Sequence, residues 1–285
     1  MRWIIGLLLL AAAGWFLTAP SHVDTQQYGS LQGSADRGET VFHAAGCASC
    51  HTAPDAEDSD RPILSGGRAF ASEFGTFYAP NISPDPTQGI GDWSLPEMAD
   101  ALVHGTSPDG RHYYPALPYT TYAKAAPQDI ADLFAFLMTL PKDATPNRAH
   151  EVGFPFNIRR SLGGWKLLFA SDDWMTDAPS EQLQRGRYLV EALAHCGECH
   201  TPRNALGGMD RAKWLQGAPN PSGRGKIPDL TTLDWSQDDL VEYLTSGFTP
   251  DFDSAGGEMA EVVQNMARLP LSDREAIAAY LIALR

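Results

Sequence analysis

Two short motifs place paired cysteines and a histidine at a fixed spacing. Residues 47–51 read C-A-S-C-H and residues 196–200 read C-G-E-C-H, so both follow the pattern C-x-x-C-H. Two thiols at this spacing can add to the two vinyl groups of one porphyrin, and the adjoining histidine can supply a nitrogen to its iron. The two motifs use all four cysteines of the chain. The sequence therefore predicts two covalently bound haem c groups.

Each motif would supply the two cysteines that attach one haem and the histidine that binds its iron. A zinc site would have to pool ligands from motifs about 150 residues apart, and a dithiol redox pair has no use for the trailing histidine. These alternatives are less favoured than haem. The attachment cysteines and axial histidines are, in chain order, Cys47, Cys50, His51, Cys196, Cys199 and His200.

The length and the net charge of the chain limit the classes of function that it can have. The chain has 285 residues, enough for two domains, and a formal net charge of −14. This charge argues against nucleic-acid binding, which needs a basic surface. It suits a redox protein that meets a basic patch on its partner, with an attraction that salt weakens. Acidity that serves only solubility is the alternative.

The N-terminus predicts export. Met1 and Arg2 precede an apolar run over residues 3–17, so residues 1–20 form either a signal peptide or a membrane anchor. The run is short against the roughly 20 residues that a membrane span needs, while Pro20 disfavours cleavage after Ala19. Covalent haem attachment takes place outside the bacterial cytoplasm. We therefore expect the chain on the periplasmic side of the inner membrane, soluble or anchored.

Residues 35–140 and 181–285 form an internal repeat. Each has Arg-Gly before the motif, then a Pro-Asn or Pro-Asp pair, Asp-Trp-Ser, a Gly-x-x-Pro-Asp turn, and a closing apolar helix with spacings of three and four. The polar residues 21–34 are predicted to be a tether, and the proline-punctuated residues 141–180 a connector. Each repeat is predicted to be a small all-α domain of three to five short helices wrapped around a haem.

The repeat also indicates a sixth iron ligand for the second haem. Met259 lies twelve residues after Gly247 and directly follows Gly-Gly-Glu. A methionine on the loop between the middle and last helices can bind iron opposite histidine. Met259 is therefore the predicted ligand, with Met266 as the alternative. Simple core packing is the competing role for such a methionine.

The same count in the first repeat ends at Leu117, which has no donor atom. Three outcomes stay open: five-coordinate iron, ligation by the nearby His112, or ligation by a more distant group. A thioether opposite histidine raises the potential of a haem, so its loss should make the first haem the lower of the two. We expect electrons to run from the first haem to the second. The more distant candidates are His104, Met98 and Met138.

Several segments resemble the multihaem cytochrome c subunits of membrane-bound alcohol and gluconate dehydrogenases. In that family the position of Leu117 is typically the ligand methionine, so this chain departs from the pattern there. Those subunits carry three haems, whereas this chain has two motifs. The segments that carry the resemblance are residues 75–85, 89–94, 105–119, 196–204 and 247–259.

The resemblance implies two tandem class I-like cytochrome c domains that act as a periplasmic electron relay. Such a relay takes electrons from a dehydrogenase with a quinone, flavin or molybdenum cofactor and passes them to a membrane quinone or an oxidase. No catalytic constellation is evident. The alternative function is a haem enzyme or ligand sensor that uses an open iron in the first haem, with His104, His112 and Arg111 as acid and charged groups.

The connector has two competing roles. Residues 154–169 are apolar and basic in an otherwise acidic chain. This segment could cover the seam between the two domains, or it could dock a partner or touch a membrane surface. We favour the seam, because a 40-residue connector between compact domains must bury its aromatic side chains.

Overall fold

The computed structural model describes residues 2–56, 59–221 and 225–285, so Met1 of the predicted leader lies outside the described residues. The helices are α1 (Arg2–Leu17), α2 (Thr25–Gly29), α3 (Ala35–Ala44), α4 (Cys47–His51), α5 (Leu95–Ala99), α6 (Tyr119–Tyr122), α7 (Pro127–Leu137), α8 (Ser161–Phe169), α9 (Glu181–Tyr188), α10 (Gly197–His200), α11 (Gln237–Ser246), α12 (Glu258–Met266) and α13 (Leu271–Ala283). Helices α5 and α9 continue as π-helical turns, Asp100–His104 and Leu189–Leu193, and Arg211–Lys213 forms a 3₁₀ turn. The strands are β1 (Ala69–Ser72), β2 (Gly75–Tyr78), β3 (Glu151–Val152), β4 (Ala218–Pro219) and β5 (Lys226–Ile227).

The first and last helices of each repeat cross at a glycine. A Cβ added to Gly38 in α3 would lie 1.9 Å from the carbonyl oxygen of Asp132 in α7. A Cβ added to Gly186 in α9 would lie 2.0 Å from the carbonyl oxygen of Ala276 in α13. A side chain would force the helices apart, so both repeats depend on the missing Cβ of glycine for the same close crossing.

A bidentate ion pair fastens each crossing. Arg37 binds the carboxylate of Asp132 at 2.6 and 2.8 Å, and Arg185 binds that of Asp273 at 2.8 and 2.7 Å. Only 1% of the Asp132 side chain is exposed, so this carboxylate needs its charged partner. The arginine lies next to the crossing glycine in both repeats, which gives the repeated Arg-Gly pair a structural role.

The repeated Asp-Trp-Ser segment starts the middle helix of each repeat. Ser94 caps α5 and Ser236 caps α11, each in a capping box with the acidic residue three positions later, Glu97 or Asp239. The middle helices end at Gly105 and Gly247, with φ of 56° and 80°. Glycine adopts this left-handed conformation readily and is the common residue at such helix ends.

The two repeats pack against each other. The hydroxyl of Tyr188 at the end of α9 donates to Asp129 in α7 at 2.5 Å and accepts from the backbone N–H of Ala126 at 3.0 Å. A single hydrophobic cluster includes buried side chains of both repeats, among them Leu133 and Leu193. The repeats therefore share a continuous apolar core.

The expectation of an all-α fold is only partly right, because the structure adds two small sheets to the helices. Strand β2 pairs antiparallel with β1 over residues 69–78 and with β3 of the connector, and β4 pairs with β5. These strands are two to four residues long. Strands this short cannot show the alternating pattern by which a strand is found in a sequence.

The apolar N-terminus forms the helix α1, and none of its residues is buried. Across the described part of the chain, no helix combines the length and the apolar character needed to cross a membrane.

Residues 21–34 are not the free tether that their polarity predicts. The carboxylate of Asp100 accepts hydrogen bonds of 2.6 Å from His22 and from the backbone N–H of Val23. Helix α2 follows, and its Tyr28 is buried at 5% exposure. Because these contacts join residues more than 70 positions apart, the segment folds onto the first repeat.

The connector packs against both repeats and also exposes apolar side chains. Leu162 of α8 is buried against Phe77 of the first repeat. The indole of Trp165 donates to the carbonyl of Leu206 in the second repeat at 2.9 Å. Elsewhere in the connector Phe154 and Leu168 are 81% and 70% exposed. The connector thus bridges both repeats, as the seam interpretation requires, and still presents an apolar surface.

Candidate haem-binding sites

The first motif forms the short helix α4 directly after α3. The chain enters it through Gly46, whose φ of 60° is left-handed. The Nδ1–H of His51 donates a hydrogen bond of 2.8 Å to the carbonyl oxygen of Pro80, since a carbonyl can only accept. This bond selects the tautomer in which Nε2 keeps its lone pair. That is the atom a haem iron would need.

The second motif repeats this arrangement. His200 donates from Nδ1 to the carbonyl oxygen of Pro228 at 2.9 Å. The residue before the motif is His195, which keeps a left-handed backbone with φ of 43° although it is not glycine. Burial lowers the pKa of both His51 and His200, so each ring is neutral at pH 7 and can act as a ligand.

The donor set of both motifs fits a covalently bound haem c. Each motif brings two thiols next to a histidine whose Nε2 is prepared for a metal. Burial raises the pKa of Cys47 and of Cys196 to about 12, whereas thiol–disulfide chemistry uses thiolates of lowered pKa. The thiols therefore do not suit a dithiol redox pair. When bound, a haem c supplies a one-electron iron couple.

Met259 lies at the start of α12, directly after the loop that precedes this helix. Gly257, the residue before the helix, has a φ of 57°, which turns the chain into α12. The side chain is half-buried and packs against the main hydrophobic cluster. Met266, at the end of α12, is only 3% exposed and belongs to that cluster. This placement favours Met259 over Met266 as a ligand, and its binding to iron stays a prediction.

Leu117 occupies the corresponding loop of the first repeat. Its backbone N–H donates to the carbonyl of Tyr114 at 3.1 Å, and its own carbonyl accepts from the N–H of Tyr119 at 2.8 Å. The side chain is half-buried. A leucine here can pack against a haem face, but it has no atom that can bind iron.

His112 is buried at 3% exposure between the first repeat and the connector. Its Nε2 donates to the carbonyl of Thr18 at 3.0 Å, and its Nδ1 accepts from the ammonium of Lys166 at 3.0 Å. Both ring nitrogens therefore have partners, and ligation would require one of these bonds to break. Ligation by His112 stays a prediction.

The other candidates at the first haem are spread over several elements. His104 ends the π-helical turn after α5, and its carbonyl accepts from the same Lys166 that binds His112. Met98 is buried in α5 and Met138 caps α7, and both pack in or against the hydrophobic cluster. Arg111 is exposed and forms an ion pair with Asp109. The structure thus joins His104 and His112 through one lysine and gives both methionines core positions.

Each motif is covered by the other repeat. In the first motif the hydroxyl of Ser49 accepts a hydrogen bond of 2.9 Å from Asn265 in α12. In the second motif the carboxylate of Glu198 accepts one of 2.7 Å from Thr121 in α6. Helix α6 begins two residues after Leu117, and α12 contains Met259 as its second residue, so the two helices hold corresponding places in the repeat. The two attachment sites therefore meet across one reciprocal interface.

Two groups essential to these sites are not identified by the sequence reasoning. The carbonyls of Pro80 and Pro228 orient the axial histidines, but backbone acceptors carry no side-chain signature. The only signal is positional, because each proline follows its motif histidine by 29 or 28 residues and begins the repeated Pro-Asn or Pro-Asp pair.

Comparison with known proteins agrees with this geometry. The family model for cytochrome c matches residues 35–141, the first repeat. The chain is 56% identical over 280 residues to a protein named diheme cytochrome c-type of Cereibacter sphaeroides, covering 96% of this chain and 94% of that protein.

Dehydrogenase subunits are also similar. The chain is 40% identical over 260 residues to the fructose dehydrogenase cytochrome subunit of Gluconobacter japonicus, covering 87% of this chain and 52% of that protein. It is 34% identical over 265 residues to the gluconate 2-dehydrogenase cytochrome c subunit of Pantoea cypripedii, covering 87% and 59%. The chain thus spans little more than half the length of these two subunits. The expected resemblance is confirmed, and the chain belongs to the cytochrome c family, with a dihaem cytochrome and dehydrogenase cytochrome subunits among its relatives.

Proposed function

We propose that this chain is a dihaem electron relay between a partner dehydrogenase and a respiratory acceptor, either a quinone or an oxidase. The observation that carries this proposal is the reciprocal interface in which Asn265 covers the first motif and Thr121 covers the second. Two one-electron centres attached at one interface suit transfer from one to the other. The names of the fructose, gluconate and alcohol dehydrogenase subunits support a dehydrogenase as the donor.

The two haem irons would differ in their sixth ligand, and this difference would set the direction of electron flow through the relay. Met259 would provide a thioether opposite His200, and Leu117 provides no ligand opposite His51. A thioether favours the ferrous state and so raises the potential. The first site would then be the lower in potential and receive electrons from the dehydrogenase, and the second would deliver them to the acceptor.

The proposed location is the periplasmic side of the bacterial inner membrane. A basic and apolar N-terminus and haem attachment by thioethers both support export. The end of α1 also contacts the folded body, where the Arg160 guanidinium lies 4.1 Å from the ring centroid of Trp15 and the Thr18 carbonyl binds His112. If α1 is retained, its apolar surface and the exposed Phe154 and Leu168 would lie at the membrane surface. Sequencing the N-terminus of the mature protein from membrane and soluble fractions tests whether α1 is retained and whether the protein lies at the membrane.

Purification from the native host tests the relay directly. A tagged chain should copurify with a dehydrogenase, and the substrate of that enzyme should reduce both haems of the complex. Transfer to a quinone or an oxidase should then reoxidise them. A complex that turns over its substrate while both haems stay oxidised would contradict the proposal.

The alternative function rests on Leu117. Without a sixth ligand, the first iron could bind peroxide or a small anion, as in a haem enzyme or sensor. In the resting-state spectrum, a high-spin ferric signal with fast carbon monoxide or cyanide binding is compatible with both the relay and the alternative. Two low-spin six-coordinate haems leave only the relay.

A further inference from the structure

The turn after each middle helix forms the same small hairpin in both repeats. In the first repeat Ser107 N–H donates to the Arg111 carbonyl at 2.9 Å, and Gly110 N–H donates to the Ser107 carbonyl at 2.8 Å. In the second repeat Thr249 N–H donates to the Asp253 carbonyl at 2.9 Å, and Phe252 N–H donates to the Thr249 carbonyl at 3.0 Å. The hydrogen bonds correspond one to one, so Gly110 and Phe252 hold the same place.

This place has a left-handed backbone that suits glycine. Gly110 has a φ of 73°, and Phe252 has a φ of 63°. A bulky residue in this conformation is a backbone outlier, whereas glycine adopts it without steric conflict. The ring of Phe252 is also 98% exposed, so it gains nothing from burial within the chain. Neither backbone preference nor packing explains a phenylalanine here.

The two hairpins also differ in their surroundings, because the first is more covered and better charge-paired than the second. In the first repeat Asp109 and Arg111 form an ion pair of 2.6 Å, and Arg159 of the connector donates to the carbonyl of His112 at 3.0 Å. The acidic side chain of that hairpin is thus paired with a cation, and the connector covers part of the hairpin. In the second repeat Phe248 of the same hairpin is 61% exposed. Among the described hydrogen bonds, none joins the connector to residues 247–255.

The charge of the exposed hairpin indicates what kind of partner surface could cover it. Residues 247–258 contain Asp251, Asp253 and Glu258 and not one lysine, arginine or histidine. All three carboxylates are exposed. Two exposed phenylalanines in a segment with three exposed carboxylates are complementary to an apolar surface that carries lysines and arginines. The segment then leads directly to Met259, the predicted ligand of the second haem.

We propose that residues 247–255, here named the Phe hairpin, dock the protein acceptor of the relay, an oxidase whose surface is basic and has an apolar patch beside its own cofactor. This inference rests on the proposed relay, because it places the exit for electrons at the second haem. The aromatic rings would supply the buried centre of the contact, and the carboxylates would steer encounter.

A stopped-flow experiment with the holoprotein tests the docking. The chemically reduced protein is mixed with an oxidised basic monohaem cytochrome c whose haem edge is ringed by lysines, and the second-order rate is measured at increasing ionic strength. The wild-type rate should fall as salt rises. The variant Phe252→Gly should react about tenfold more slowly or worse. Asp251→Asn should weaken the salt dependence.

Matched variants and a small oxidant separate docking from other effects. Phe252→Gly should unfold at the same temperature as wild type or higher, with an unchanged haem spectrum, because glycine suits this backbone. Phe154→Ala removes another strongly exposed phenylalanine, 81% exposed in the connector, and should change the rate less than twofold. A wild-type rate in Phe252→Gly, or a wild-type reaction without salt dependence, would overturn the docking proposal. If neither the wild type nor Phe252→Gly is oxidised even by ferricyanide, the relay itself is overturned.

Discussion

The hydroxyl of Thr121 in the first repeat lies 2.7 Å from the carboxylate of Glu198 inside the second haem motif. Ser49 in the first motif and Asn265 in the second repeat form the reciprocal contact at 2.9 Å. Each haem motif is therefore in hydrogen-bond contact with the repeat that carries the other motif. This reciprocity is why we treat the two sites as one electron-transfer unit rather than two separate cytochromes.

The variant Leu117→Met tests the difference between the two haems. Leucine and methionine have similar volumes, so the loop should accept the change with little loss of stability. The new thioether should make the first haem low-spin and raise its potential, within the range of about 0.8 V over which axial ligands act. A redox titration of the wild type should show the first haem as the lower of the two. Two haems that titrate together in the wild type would contradict this assignment.

The variant Met259→Leu tests the ligand of the second haem. Loss of the sulfur should lower the potential of this haem and abolish the weak long-wavelength band that arises from an iron–thioether bond. Met266→Leu is the matched control, because Met266 is buried in the core of the same helix. It should keep the band and cost less than about 1.5 kcal/mol of stability. Loss of the band in Met266→Leu alone would move the ligand to that residue.

The variant Gly38→Ala tests the helix crossing of the first repeat. The added Cβ would lie 1.9 Å from the carbonyl oxygen of Asp132, so α3 and α7 must separate. We expect a loss of about 2–3 kcal/mol in the free energy of unfolding, measured with urea. Gly164→Ala is the control: this glycine lies inside α8 with no atom within 4 Å of the added Cβ. It should be neutral or stabilising by up to about 1 kcal/mol.

Stability should fall in acid partly through Asp132. Burial opposes ionisation of this carboxyl, but hydrogen bonds from Arg37, the Ser34 N–H and Gln128 outweigh it and hold its pKa below the usual range. The unfolded chain therefore binds a proton more readily, with a pKa of about 3.9. The stabilisation is complete above that value and is lost as pH falls through the lowered native pKa.

Urea unfolding between pH 3 and pH 7 checks this contribution. The variant Asp132→Asn should be less stable than wild type at pH 7, and the difference should shrink toward pH 3. A difference that stays constant across this range would show that the charge of Asp132 does not contribute.

The haem motifs and the repeat are predictable from the sequence because their chemistry needs fixed residue types at fixed spacings. The two cysteine pairs and the Arg-Gly pairs are of this kind, although the crossing at Gly38 becomes clear only when α7 is placed against it. Contacts between distant residues leave no local pattern. The carboxylate of Asp100 fixes Val23 across 77 positions, which is why residues 21–34 resemble a tether in the sequence.

The roles of backbone groups are equally hidden. The carbonyl of Pro80 orients His51, and any residue could provide a carbonyl there. Strands such as β3, only two residues long, pair through backbone atoms and leave no trace in the hydrophobic pattern. The left-handed backbone at Phe252 is likewise visible only by comparison with Gly110 in the structure.

The intact mass of the purified holoprotein tests the central claim most directly. Covalent attachment at both motifs predicts a mass that exceeds the polypeptide by two haem groups, and by one haem when Cys47 and Cys50 are both replaced by alanine. A wild-type mass with one haem or none, in protein matured by a host competent for c-type haem attachment, would contradict the account.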